Sequence, residues 1–137
     1  MRAPLDTNVL VRHFTGQPPV QARLATTFLR DSLPSSLLLT DVHLSELVFV
    51  LESSVYSTPR ETVATIVDSV LALPAIVADN EVRLRKTLAL YRERAMDWAD
   101  AYLIAAAIAS RAEQVISFDR FDTKIKGLPV RRVEPRD

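Results

Sequence analysis

Apolar segments only three or four residues long, each passing directly into a polar cap and a helical repeat, set the strongest limit on what this chain can fold into. Leu37-Leu38-Leu39 runs into Thr40-Asp41 and then Val42, Leu47, Val48, Val50 and Leu51. Ala75-Ile76-Val77 comes just before Asp79, and Val115-Ile116-Ser117-Phe118 just before Asp119. Leu5 closes a short extended stretch ahead of Asp6-Thr7-Asn8, and Val130 to Val133 gives a last, shorter strand. Strands this short with little polar alternation are buried on both faces, and helices between them complete parallel crossovers. The pattern predicts an α/β sandwich with a short, mainly parallel central sheet.

The intervening helices carry start signals of their own. Pro18-Pro19 opens one whose apolar positions Val20, Leu24, Phe28 and Leu29 recur at helical spacing. Thr58-Pro59-Arg60-Glu61 places Thr at the N-cap, Pro at the first helical position and Glu three residues after the cap. Asp79 opens a further helix, and Asp97 opens an alanine-rich one running to about Arg111. No linker, repeat or low-complexity stretch interrupts residues 1–137, which read as a single domain.

Composition removes several functions. The two glycines, Gly16 and Gly127, lie too far apart for a dinucleotide fingerprint or a P-loop. Without cysteine there is no disulfide framework, thiolate zinc site or cysteine nucleophile, and a reducing, cytoplasmic setting is expected. The longest apolar run, Ala101 to Ala109, has nine residues, against the roughly twenty needed to cross a bilayer. Asp6 interrupts the N-terminus before an apolar stretch develops, so neither a membrane anchor nor a secretory leader is expected. Seventeen basic groups balance seventeen acids unevenly: four against one in residues 1–30, one against eight in 31–81, and twelve against eight in 82–137.

Ligands of open parallel sheets bind outside the carboxyl ends of the strands. Acids stand at those places: Asp6 after the first strand, Glu46 in the helix after the second, Asp100 in the first turn of the alanine-rich helix, and Asp119 after Val115 to Phe118. Gathered together, such carboxylates repel by about 2–3 kcal/mol per pair at ~6 Å and an effective dielectric near 20. Such a cluster needs protons or a cation, and an oxygen-only set favours Mg²⁺ or Mn²⁺ over Zn²⁺. Each acid also has a structural reading. Asp6 and Asn8 can cap a helix, Asp97 with Asp100 fits a variant capping box, and Asp119 suits a turn. Glu46, between Ser45 and Leu47 among strongly apolar neighbours, is expected to sit where an unpaired carboxylate is costly.

Four segments in order, Leu5-Asp6-Thr7-Asn8-Val9-Leu10, Thr40-Asp41-Val42 through Ser45-Glu46-Leu47, Met96-Asp97-Trp98-Ala99-Asp100-Ala101-Tyr102-Leu103-Ile104-Ala105-Ala106 and Val115-Ile116-Ser117-Phe118-Asp119-Arg120, resemble the PIN-domain ribonucleases, and among them the VapC toxins of bacterial type II toxin–antitoxin systems. The resemblance extends to the closing Gly127-Leu128-Pro129-Val130. It implies a PIN-like α/β/α sandwich and metal-assisted hydrolysis of RNA phosphodiester bonds. Asp6, Glu46, Asp100 and Asp119 match the family's four acids, with Asp6, Asp100 and Asp119 as ligands of one or two Mg²⁺ or Mn²⁺ ions. Glu46 orients or deprotonates the attacking water, or serves as a further metal ligand. Asn8 and Ser117 support the pocket, with Ser117 standing where Thr is more usual; Asp97 is an auxiliary acid and Asp122 a surface one.

The resemblance further implies a cognate VapB-like antitoxin, a homodimer and an RNA substrate. Arg12, Arg120, Lys124 and Lys126, close in sequence to Asp6 or Asp119, are the phosphate-contact candidates. His43 is three residues from Glu46, and Trp98 reads either as a base-stacking residue or as core. The alternative function is a catalytically silent PIN-like interaction module that binds a divalent cation structurally. An aspartate-based phosphatase starting at Asp6 is disfavoured, because Asn8 occupies the place of its second aspartate.

Overall fold

The computed structural model describes residues 2–136, which divide into two compact units, one ending at Glu81 and the other beginning at Val82. In the first, β1 (Ala3–Pro4), β2 (Leu37–Leu39) and β3 (Ile76–Ala78) form a parallel sheet in the order β1-β2-β3. Ala3 is in register with Leu37, and Leu37 with Ile76. Two crossovers make the parallel order possible: α1 (Thr7–Thr15) with α2 (Pro19–Asp31), then α3 (Asp41–Glu52) with α4 (Arg60–Ala72). The core of this unit holds Leu10, Leu39, Leu44, Leu47, Val48 and Val67, all fully buried. Burying each such side chain is worth about 1.5–3 kcal/mol.

In the second unit, α5 (Glu81–Glu93, starting at the boundary) and α6 (Trp98–Ala109) precede β4 (Gln114–Ile116) and β5 (Arg131–Val133), which pair in parallel. Tyr91 of α5 meets Trp98 of α6 edge to face at 5.6 Å, and the Arg83 guanidinium lies 5.8 Å from the centre of the Tyr102 ring. Trp98 is buried, so of its two sequence readings the core one holds. No helix among the described residues is long and apolar enough to cross a membrane.

Several local expectations shift. On α2 three of the four expected apolar positions, Val20, Leu24 and Phe28, are turned outward, while Leu29 is buried together with Ala22 and Ala25. Small residues on the inner face suit the close packing of α2 against α1. Helix α4 begins one residue later than its capping pattern suggests, with Pro59 at the N-cap and no side-chain cap bond, so Thr58 does not cap it. Strand β3 starts at Ile76 rather than Ala75, and β4 ends at Ile116, leaving Ser117 and Phe118 beyond it.

Candidate active site

Parallel order places the carboxyl ends of β1, β2 and β3 on one edge of the first sheet, and polar residues follow each of them. After β1 comes Asp6, exposed at the N-cap of α1, where its Oδ1 accepts from the Asn8 amide at 3.1 Å. Buried Thr7 donates its hydroxyl to the His43 carbonyl at 2.9 Å, fastening the start of α1 to the first turn of α3. After β2, Thr40 caps α3, its Oγ1 accepting from the His43 amide at 3.2 Å and lying 2.7 Å from His43 Nδ1. After β3 comes exposed Asp79, whose amide donates to the Leu39 carbonyl at 2.9 Å. In sequence Asp79 carries the signal of a helix start, and its place as an acid directly after a strand puts it at this edge.

Glu46 corrects the expectation made for it. It is exposed on α3 and has no hydrogen bond or ion pair among the described residues. Its sequence neighbours Leu44, Leu47 and Val48 are buried, yet successive helical residues point about 100° apart, so apolar flanks in sequence do not bury the carboxylate between them. A solvated carboxylate pays no desolvation cost and stays available to a water molecule or ion.

The second unit brings Asp97 and Asp119 within electrostatic reach of Asp100. Asp100, half-buried in the first turn of α6, has its carboxyl raised above the ordinary range, first by burial and then by the charges of Asp119 and Asp97, while Lys124 acts in the opposite sense. Asp97 is the N-cap residue of α6 but makes no side-chain cap bond, so the expected capping box does not form. Ser117 Oγ accepts from the Asp119 amide at 3.0 Å and shapes the turn that carries Asp119. Arg132 donates to the Ser117 carbonyl at 2.8 Å and to Asp122 Oδ2 at 2.9 Å, contacts that sequence reasoning missed.

The basic candidates separate into two groups. Arg12 donates from Nε to Gln21 Oε1 at 2.7 Å, and Lys124 from Nζ to the Ala95 carbonyl at 3.0 Å. Arg94 braces the same loop through the carbonyls of Lys124 and Lys126 at 3.1 and 2.7 Å. The Arg120 and Lys126 side chains are exposed and make no hydrogen bond or ion pair among the described residues.

Among the described residues no three His, Asp or Glu side chains are drawn close enough together to hold a metal ion. The donor chemistry nonetheless suits a hard divalent cation: Asp97, Asp100 and Asp119 offer only carboxylate oxygens, and Asp100 bears the repulsion that a cation relieves.

Parallel strands joined by helical crossovers, with carboxylates at the strand ends, define the class of this protein. Residues 4–124 match the PIN domain family, and the chain belongs to that family. PIN domains are α/β/α folds and, as a class, nucleases that typically use divalent metals. A solved structure described as a toxin-antitoxin complex from Klebsiella pneumoniae is 22% identical to this chain, covering 93% of it and 94% of its own length at a TM-score of 0.37. No curated protein is significantly similar.

Proposed function

We propose that this PIN domain is a Mg²⁺- or Mn²⁺-dependent endoribonuclease, the toxin of a VapBC-type toxin–antitoxin pair, with the two units acting as one catalytic domain in the cytoplasm. The observation that carries the reading is Asp100 in the first turn of α6, a half-buried carboxyl raised first by burial and then by Asp119 and Asp97, within a chain of a nuclease family. Asp6, Asp100 and Asp119 are the ligands proposed for the ion, and Asp97 acts electrostatically on Asp100. When bound, the ion supplies charge stabilisation at the phosphate and makes the attacking water more acidic.

The chain's own groups supply the rest. Glu46, exposed and unengaged, orients the water and accepts its proton as the new P–O bond forms, and the oxygen released from the scissile bond takes up a proton from solvent. Asn8 and Ser117 fix the backbone around Asp6 and Asp119 through the bonds described above. Arg120 and Lys126 are free to meet phosphates, while Arg12 and Lys124 must exchange an internal bond to do so.

A protein partner is supported by the outward stripe Val20, Leu24 and Phe28, spaced four residues apart on α2. Leu24 and Phe28 line an open cleft of about 560 Å³ that reaches Asn8 and Arg12 beside the Asp6 cap. An antitoxin helix laid along this stripe would cover the approach to Asp6. The exposed Val42 and Phe49 of α3 are the corresponding candidates for a homodimer contact.

The deciding experiment is RNA cleavage by purified Asp6→Asn and Asp100→Asn with folding verified. The proposal expects both to lose cleavage and the parent to lose it in EDTA. Parent-like cutting by both variants contradicts it. EDTA that lowers the melting temperature of a chain with no cleavage to lose favours the silent cation-binding module.

A further inference from the structure

The first unit carries a second concavity, lined by two arginines and by no carboxylate. A cleft of about 470 Å³ opens between the end of α1 and the outer turns of α2, lined by His13 and Gly16 on one side and by Arg23, Thr26, Thr27 and Arg30 on the other. The α2 residues stand at i, i+3, i+4 and i+7, so one helix face presents two guanidinium groups and two hydroxyls. Arg23 is exposed and makes no hydrogen bond or ion pair among the described residues, while Arg30 uses only Nε, toward exposed Asp31 at 3.1 Å. His13 Nδ1 lies 2.8 Å from Thr26 Oγ1, which fixes the ring against the wall. An added Cβ at Gly16 would meet nothing within 4 Å, so the mouth is open there.

We propose that this cleft is an RNA-backbone exosite, in which Arg23 and Arg30 grip a phosphodiester of the substrate strand outside the catalytic centre, with Thr26 and Thr27 as hydroxyl donors. The inference rests on the ribonuclease reading above. Phosphate chemistry is indicated by the donor set: two guanidinium groups and two hydroxyls line the cleft, and Asp31, the acid bound to Arg30 Nε, lies outside the lining. Reach is also suitable, since seven residues of helical rise put His13 about 10 Å along α1 from Asp6. A strand anchored in the cleft can therefore extend toward the Asp6 end of the same helix. The consequence is a length-dependent substrate preference: long RNA gains the extra grip, and a minimal substrate too short to span both sites does not.

The test is equilibrium binding of a single-stranded oligoribonucleotide to the full chain in EDTA, from 50 to 500 mM salt, comparing the parent with Arg23→Gln/Arg30→Gln. Each lost phosphate contact should lower the slope of log affinity against log salt by about 0.7, or about 1.4 for the pair, which is roughly a 25-fold weaker Kd at 0.1 M salt. In Mg²⁺ the double variant should cut a minimal substrate at the parent's rate while its KM for long RNA rises. An unchanged slope and Kd overturn the exosite, even where inorganic phosphate or an acidic polypeptide binds the parent more tightly than the variant. The two readings fail separately: tight, Arg-dependent RNA binding without cleavage in Mg²⁺ sinks the nuclease alone, and cleavage with Arg-independent binding sinks the exosite alone.

Discussion

The two units place their charges by opposite rules. Residues 1–81 hold five basic against nine acidic groups, and residues 82–137 twelve against eight. In the acidic unit, Asp6, Glu46 and Asp79 all face solvent, and Asp6 already spends an oxygen on the α1 cap. In the basic unit, half-buried Asp100 has its carboxyl raised by burial and by two acidic neighbours, despite Lys124 nearby. Net charge therefore says little about where a cation is wanted. What matters is partial burial combined with like charges at close quarters, and that occurs in the unit whose sum is positive.

The sharpest way to press this contrast is to remove one carboxylate from each unit. Glu46→Gln should lower kcat by about 10²–10⁴-fold, the usual worth of a general base, and leave the melting temperature unchanged because the side chain is exposed. Asp100→Asn should also abolish cleavage, yet raise the melting temperature in EDTA because it removes repulsion at a half-buried site. Equal thermal responses from the two variants would erase the distinction.

Stability offers the next comparison. Trp98→Ala in the second unit should cost about 3–5 kcal/mol and Leu44→Ala in the first about 2–5 kcal/mol, since both side chains are buried. Urea unfolding checks both. If the units act as one domain, each substitution shifts the same single transition, whereas two separable transitions break the one-domain proposal. Thr40→Ala, which removes the α3 cap bond to the His43 amide, should cost about 1 kcal/mol in the same assay.

The smallest effect is one of pH. Asp100 has a folded pKa above its unfolded value, so its contribution to stability is fully present below the unfolded value near 3.9 and is lost as pH rises through the raised folded one. The stability of the parent relative to Asp100→Asn should therefore fall from about pH 4 upward in EDTA. Mg²⁺ should reverse the trend by favouring the ionised form. Differential melting across that range, with and without Mg²⁺, is the measurement.

Much of this was legible in the residues, for identifiable reasons. Leu37–Leu39 is the second strand to the residue, because an apolar triplet meets an unambiguous cap at Thr40. The Asp97/Asp100 spacing marks two of the three interacting acids of the second unit. Less legible was anything depending on direction. Helical spacing on α2 identifies two faces but not which one is inward; Ala22, Ala25 and Leu29 are buried, while Val20, Leu24 and Phe28 are exposed. The exposure of Glu46 is not legible from its buried neighbours Leu44, Leu47 and Val48, because neighbours in sequence are not neighbours in space. Nothing local links Lys124 to Asp100, or Arg132 to Ser117, since both associations come from chain return after the last helix.

We propose that Asp6 and Asp100 act in the same reaction, and a double-mutant cycle on RNA cleavage tests that most directly. Asp6→Asn, Asp100→Asn and the double variant are compared at saturating Mg²⁺ with folding verified for each. Groups that act together are strongly non-additive, so the double variant should cleave no more slowly than the slower single one. Losses that multiply would show the two carboxylates working independently and would contradict a shared reaction.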